Sequence, residues 1–120
     1  MALSYPTRSA LRHYQDLALS SRLEAATPHE LVSLLYEELL VALDVLKASM
    51  GSTARAASIL VSLEASLDFE QGGQLARTLA GIYRAMQAEL TLVMRHQDIG
   101  RLAVLREGVV DLFQAWRQIR

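Results

Sequence analysis

From residue 28 onward the chain places apolar residues at helical intervals, with polar residues filling the opposite face. Four such stretches follow one another and predict helices over about 28–49, 53–68, 74–95 and 99–118. The first opens at Thr27-Pro28-His29-Glu30, where Thr27 can cap, Pro28 suits the first helical position and Glu30 sits three residues after the cap. Gly51 is expected to stop it, and Ser52 or Thr53 to start the next. The adjacent Gly72 and Gly73 read as a sharp turn that closes the second helix. Asp98 is a good cap for the last. Short connections join antiparallel neighbours, so the expected fold is all-α: an antiparallel up-down four-helix bundle over 27–120. Residues 1–26 would form a mobile N-terminal cap segment or short helix, with Leu11, Tyr14 and Leu17 at helical spacing.

Advancing 100° per residue shows how much of each helix is apolar. The third and fourth helices carry one stripe each: Leu75, Leu79, Ile82, Tyr83, Met86, Leu90, Val93 and Met94 on one, Leu102, Leu105, Val109, Leu112, Phe113, Trp116 and Ile119 on the other. Each has one core to bury. The first helix differs, because His29, Glu30, Ser33, Glu37, Asp44 and Lys47 crowd into about 100° and leave roughly 220° apolar. Val32, Leu35, Leu39, Leu43 and Leu46 make the bundle seam; Leu34, Val41 and Val45 lie on a flank, and Leu40 near the polar side. On the second helix, Val61 lies in a small-residue stripe with Ala54, Ala57 and Ala65, opposite the core stripe. Two readings stand. Either the first helix is central and touches two neighbours, or its spare flank is a groove for an amphipathic partner segment.

Composition narrows the function. Lys and Arg number 12 against 13 Asp and Glu with no basic block, which removes the electrostatic basis for binding nucleic acid or anionic lipid. No cysteine is present, so thiolate metal sites and cysteine nucleophiles are excluded. No apolar run is long enough to span a membrane and no secretory leader is evident, so a cytoplasmic protein without membrane insertion is expected. No Glu has a His three residues later, as carboxylate-bridged metal bundles require. His13, His29 and His96 share no helix face and read as solvated or capping residues. Neighbouring Glu37 and Glu38 point about 100° apart and cannot converge on one atom. Gly72-Gly73 lacks the Lys and Ser/Thr of a phosphate loop. The chain is thus expected to be a binding protein, with no enzymatic activity and no cofactor.

Taken in order, three segments resemble the FliS family of flagellin export chaperones: TPHELVSLLYEELLVAL, SLEASLDFEQGGQLARTLAGIYRAM and FQAWRQI. The most specific piece is Ser66-Leu67-Asp68-Phe69-Glu70-Gln71-Gly72-Gly73, followed by Leu75-Ala76, Leu79, Ile82-Tyr83 and Met86, with Trp116 near the end. Tyr14 matches a tyrosine expected before the first bundle helix. Gln71 stands where a lysine is usual, and Arg84-Ala85 replaces a commoner Asp-Tyr. The resemblance implies a cytosolic bundle that binds the C-terminal, polymerisation-prone segment of flagellin, blocks premature assembly and delivers it to the flagellar export gate. It also implies an N-terminal segment that covers part of the flagellin surface and is displaced. Leu34, Leu40, Val41, Val45 and Val61 are the residues expected to line that surface, and Leu11, Tyr14 and Leu17 the cap. The competing expectation is a self-associating regulatory or adaptor bundle, a homodimer without client.

Overall fold

The computed structural model describes residues 27–119, and among them it has four helices and no strand. They are α1 (Pro28–Ser49), α2 (Ala54–Ala65), α3 (Phe69–His96) and α4 (Ile99–Arg117). The expected four-helix bundle is the fold; the segment 1–26, with Leu11, Tyr14 and Leu17, lies outside the described residues.

The Thr27 hydroxyl accepts the Glu30 N–H at 3.1 Å, the Asp98 carboxylate accepts the Arg101 N–H at 2.9 Å, and these caps set the starts of α1 and α4. Glycine does not stop α1. Met50 takes the left-handed position (φ 47°), its N–H bonded to the Leu46 carbonyl, and Gly51 only follows it. That conformation costs about 1–2 kcal/mol in a non-glycine residue, and the packing of Met50 against the core offsets it.

The second helix ends three residues earlier than expected. Ser66 returns its N–H to Ser62 and Leu63 and its hydroxyl to the Leu63 carbonyl at 2.7 Å, and Leu67 bonds back to Glu64 over three residues. These short steps tighten the last turn and end the helix. Asp68 is thereby free to cap α3, accepting the Gln71 N–H at 3.0 Å. The two glycines therefore do not close α2. They sit inside α3, where the turn Phe69–Gly72 meets the long helix through Gly73 at φ 53° and ψ −129°.

Each helix packs on the two beside it, in the ring α1–α2–α3–α4. The start of α1 lies against the end of α4 (His29 on Trp116), and its later part against the earlier part of α4 (Asp44 on Arg106), so the pair is antiparallel. Every seam of the ring carries one inter-helix ion pair: Glu38–Arg55, Glu64–Arg84, Glu89–Arg101 and Asp44–Arg106, at 2.7 to 3.0 Å. Such exposed pairs add little stability. The core supplies it: Leu35, Leu39, Leu43, Ile59, Leu60, Leu63, Leu90, Val93, Leu102 and Val109 are fully buried, each contributing about 1.5–3 kcal/mol before entropy is counted.

Candidate functional site

The wide apolar arc of α1 resolves into two parts. Val32, Leu35, Leu39, Leu43 and Leu46 are core, and Leu34 joins them at 7% exposure, so that residue offers a partner almost nothing. Leu40 is half-buried against the core, and as the neighbour of Val41 it points about 100° away from it. What remains in water is Val41 at 53% and Val45 at 61% on α1, with Val61 at 41% on α2. Isolated exposed valines are ordinary, but Val41 and Val45, one turn apart on α1, form a small patch.

Beside Val41 and Val45 stands the Glu38–Arg55 pair at 3.0 Å. Val41 and Val45 lie within about 60° of Glu38 around α1 and about 4.5 and 10.5 Å further along it, whereas Val61 lies about 120° round α2 from Arg55. Val61 instead shares a depression with Glu64 and Phe69, and the structure does not merge the three valines into one continuous groove.

A second apolar surface lies between α3 and α4, where Leu75, Leu79, Ile82, Leu112, Ala115, Trp116 and Ile119 line a hollow of about 260 Å³ floored by Tyr36. Leu75 is 47% exposed. The helical pattern assigns Leu75, Leu79, Ile82, Leu112, Trp116 and Ile119 wholly to the core and does not show the hollow. Its signal was the width of the α3 stripe, since Leu75 and Ile82 sit at the stripe's edge, where a neighbouring helix does not close over them. Across the Gly73 bend, Phe69 stands exposed beside Val61 and Leu67 in a shallower depression.

Two aromatic constellations hold the end of the bundle around that hollow. His29 is not a solvated or merely capping residue: its ring stacks on Trp116 with centroids 4.6 Å apart, and its Nε2–H donates to the Trp116 carbonyl at 3.1 Å. Trp116 Nε1–H returns a bond to the His29 carbonyl at 3.3 Å. Because a carbonyl only accepts, this geometry requires the proton on Nε2. Deeper in, the Tyr36 and Tyr83 hydroxyls share a 2.6 Å hydrogen bond, and Tyr36 stacks on Phe113. Burial raises both phenols above their ordinary value, Tyr83 well above it, where the neighbouring Tyr36 adds to the effect. On the surface, the hydrogen bonds that Arg84 and Arg106 donate to Glu64 and Asp44 raise both guanidinium groups above their ordinary value.

Among the described residues no group of His, Cys, Asp and Glu is arranged to hold a metal ion, and no helix is long and apolar enough to cross a membrane. The arrangement offers apolar surface flanked by ion pairs, a pattern suited to contact with a polypeptide.

Comparison with known proteins gives the same direction. The sequence profile of the family described as "Flagellar protein FliS" matches residues 10–120. The chain is 29% identical to the flagellar secretion chaperone FliS of Vibrio cholerae, over 93% of this chain and 89% of the relative. It is 27% identical to the flagellar secretion chaperone FliS of Salmonella typhimurium, over 94% and 91% respectively. The flagellar secretion chaperone FliSB of Pseudomonas aeruginosa is 26% identical, over 89% of this chain and 92% of its own. No solved structure gives a significant match.

Proposed function

Because the chain belongs to the FliS family of flagellar proteins, we propose that it binds the C-terminal segment of flagellin in the cytoplasm, keeps it from polymerising, and delivers it to the flagellar export gate. The family is one of chaperones, not enzymes. The observation that carries the finer reading is the exposure of Val41 and Val45 on α1 and Val61 on α2, apolar surface that the fold does not use. An unfolded client needs such surface, because it stays extended until side chains of its own find apolar partners. The α3–α4 hollow adds a second stretch of the same kind.

Flagellin is not the client on this flank if V41D/V45D binds a flagellin C-terminal peptide as tightly as the unaltered chain does in calorimetry. The expected result is an affinity loss of tenfold or more, about 1.4 kcal/mol, with helical content unchanged by circular dichroism. Leu34 and Leu40, buried and half-buried, offer the client less surface than Val41 and Val45 do.

The reading extends to the N-terminal segment, whose Leu11, Tyr14 and Leu17 act as a removable cap. Its point of attachment supports this, since Thr27 leads directly into His29, which stacks on Trp116 at the α3–α4 hollow. Deleting residues 1–20 should raise the on-rate of the peptide; an unchanged rate speaks against the cap.

A further inference from the structure

The charged pair on the α1–α2 flank is unequally shared and unequally exposed. Arg55 donates a single hydrogen bond, from Nη2 to Glu38 Oε2 at 3.0 Å, and Glu38 is its one hydrogen-bond partner among the described residues. A guanidinium carries five N–H donors in a planar fork, so most of its capacity is unused among the described residues. The Arg55 side chain is 48% exposed, whereas that of Glu38 is 18% exposed. A partner approaching from solvent therefore meets the cation first. A segment that covers Val41 and Val45 also meets this pair, because Glu38 shares their face of α1. Covering a guanidinium with apolar side chains strips its water without replacing the hydrogen bonds, a cost set against the apolar contacts beside it. A carboxylate in the partner resolves the conflict, since its two oxygens match the unused face of the fork.

We infer that Arg55 is the specificity-determining residue of this flank: it takes an acidic side chain of the bound segment, set beside aliphatic residues that meet Val41 and Val45. This rests on the reading of the flank as the client surface. The partner it fits is an amphipathic segment with one carboxylate at a fixed position beside an apolar cluster. Arg55 then fixes the alignment of the client along the bundle, a task that apolar contacts, which lack direction, do not perform.

The experiment uses the full chain and a flagellin C-terminal peptide, titrated in a calorimeter. R55A should weaken binding about tenfold and R55K should restore only part, because the ammonium keeps the charge but loses the planar fork. Changing the peptide's acidic residues one at a time to their amides should reveal one position whose loss is large against the native chain and absent against R55A. The exchanged pair E38R/R55E, which keeps a bridge on the seam, should recover binding only to a peptide carrying lysine at that position. Affinity of R55A within about twofold of the native chain, or amide changes that cost the same against both chains, overturns the inference. The V41D/V45D chain separates it from the reading beneath it. If that chain binds as the native one does, the flank is not the docking surface and the role of Arg55 falls with it. If it loses affinity while R55A does not, the flank stands and only the carboxylate partner falls.

Discussion

Removing one hydroxyl of the Tyr36–Tyr83 pair should cost more than removing both. The two side chains are 2% and 3% exposed, belong to helices facing each other across the core, and meet through one 2.6 Å bond. In Tyr83→Phe the Tyr36 hydroxyl stays where water does not reach it, and an unpartnered buried polar group costs about 1–3 kcal/mol. Tyr36→Phe strands the Tyr83 hydroxyl at a similar cost. In the double variant no polar group is stranded and only two oxygen-sized gaps remain, so its loss should stay within about 1 kcal/mol. The three variants thus form a cycle whose coupling is of the order of 1–3 kcal/mol or more. For a 120-residue chain each kcal/mol corresponds to about 3–5 °C in Tm, so calorimetry and urea titration both resolve it. A shared urea slope among the variants would show that the native and unfolded states are otherwise unchanged. The reasoning is refuted if the double variant loses the sum of the two single losses, for then the hydroxyls contribute independently and the bond between them is not what holds them in the core.

The same pair predicts an alkaline limit. Both folded phenols titrate above the unfolded value of 10.0, so their contribution is complete below pH 10, declines as pH rises through the folded values, and should vanish in Tyr36→Phe/Tyr83→Phe; parallel alkaline melting curves for the two chains would contradict this. Gly73→Ala should cost about 1–3 kcal/mol, because φ 53° with ψ −129° strains an L-residue although a Cβ there meets nothing within 4 Å. Gly81→Ala, equally open but inside regular helix, should instead stabilise by about 0.5–1 kcal/mol, and equal effects at the two sites would remove backbone strain as the cause. His29→Ala should red-shift the emission of Trp116, the single tryptophan, and lower stability by about 1–3 kcal/mol through the lost stack and the lost ring hydrogen bond, the Trp116 carbonyl keeping the Ile119 N–H; an unchanged spectrum would show that the ring does not shield the indole.

The starts of α1 and α4 were legible because capping is local: Thr27 and Asp98 each meet an N–H three residues away. So was the exposure of Val41, Val45 and Val61, since the helical wheel of one element shows which residues exceed its core stripe. Features that depend on distant partners were not legible. His29 looked solvated because its stacking partner is 87 positions along the chain, and Leu34 looked like flank because a wheel shows direction without showing what stands there. The α3–α4 hollow was hidden for the converse reason: a stripe says which residues are apolar, not whether the neighbouring helix closes over its edge. At Asp68 to Gly73 the competition was between two local signals, and the cap at Asp68 prevailed over the turn suggested by paired glycines, with Gly73 absorbing the bend.

The four ion pairs settle a question that the apolar stripes leave open, which is the handedness of the bundle. Four amphipathic helices joined by short loops bury the same stripes whether successive helices turn left or right about the axis. Glu38 and Asp44 break that degeneracy. They lie about 120° apart around α1 and about 9 Å apart along it, one paired with Arg55 on α2 and the other with Arg106 on α4. In the opposite-handed bundle each acid would turn toward the wrong neighbour. Charges that add little to how firmly this chain folds thus join the His29–Trp116 stack in fitting only one of two mirror-related topologies.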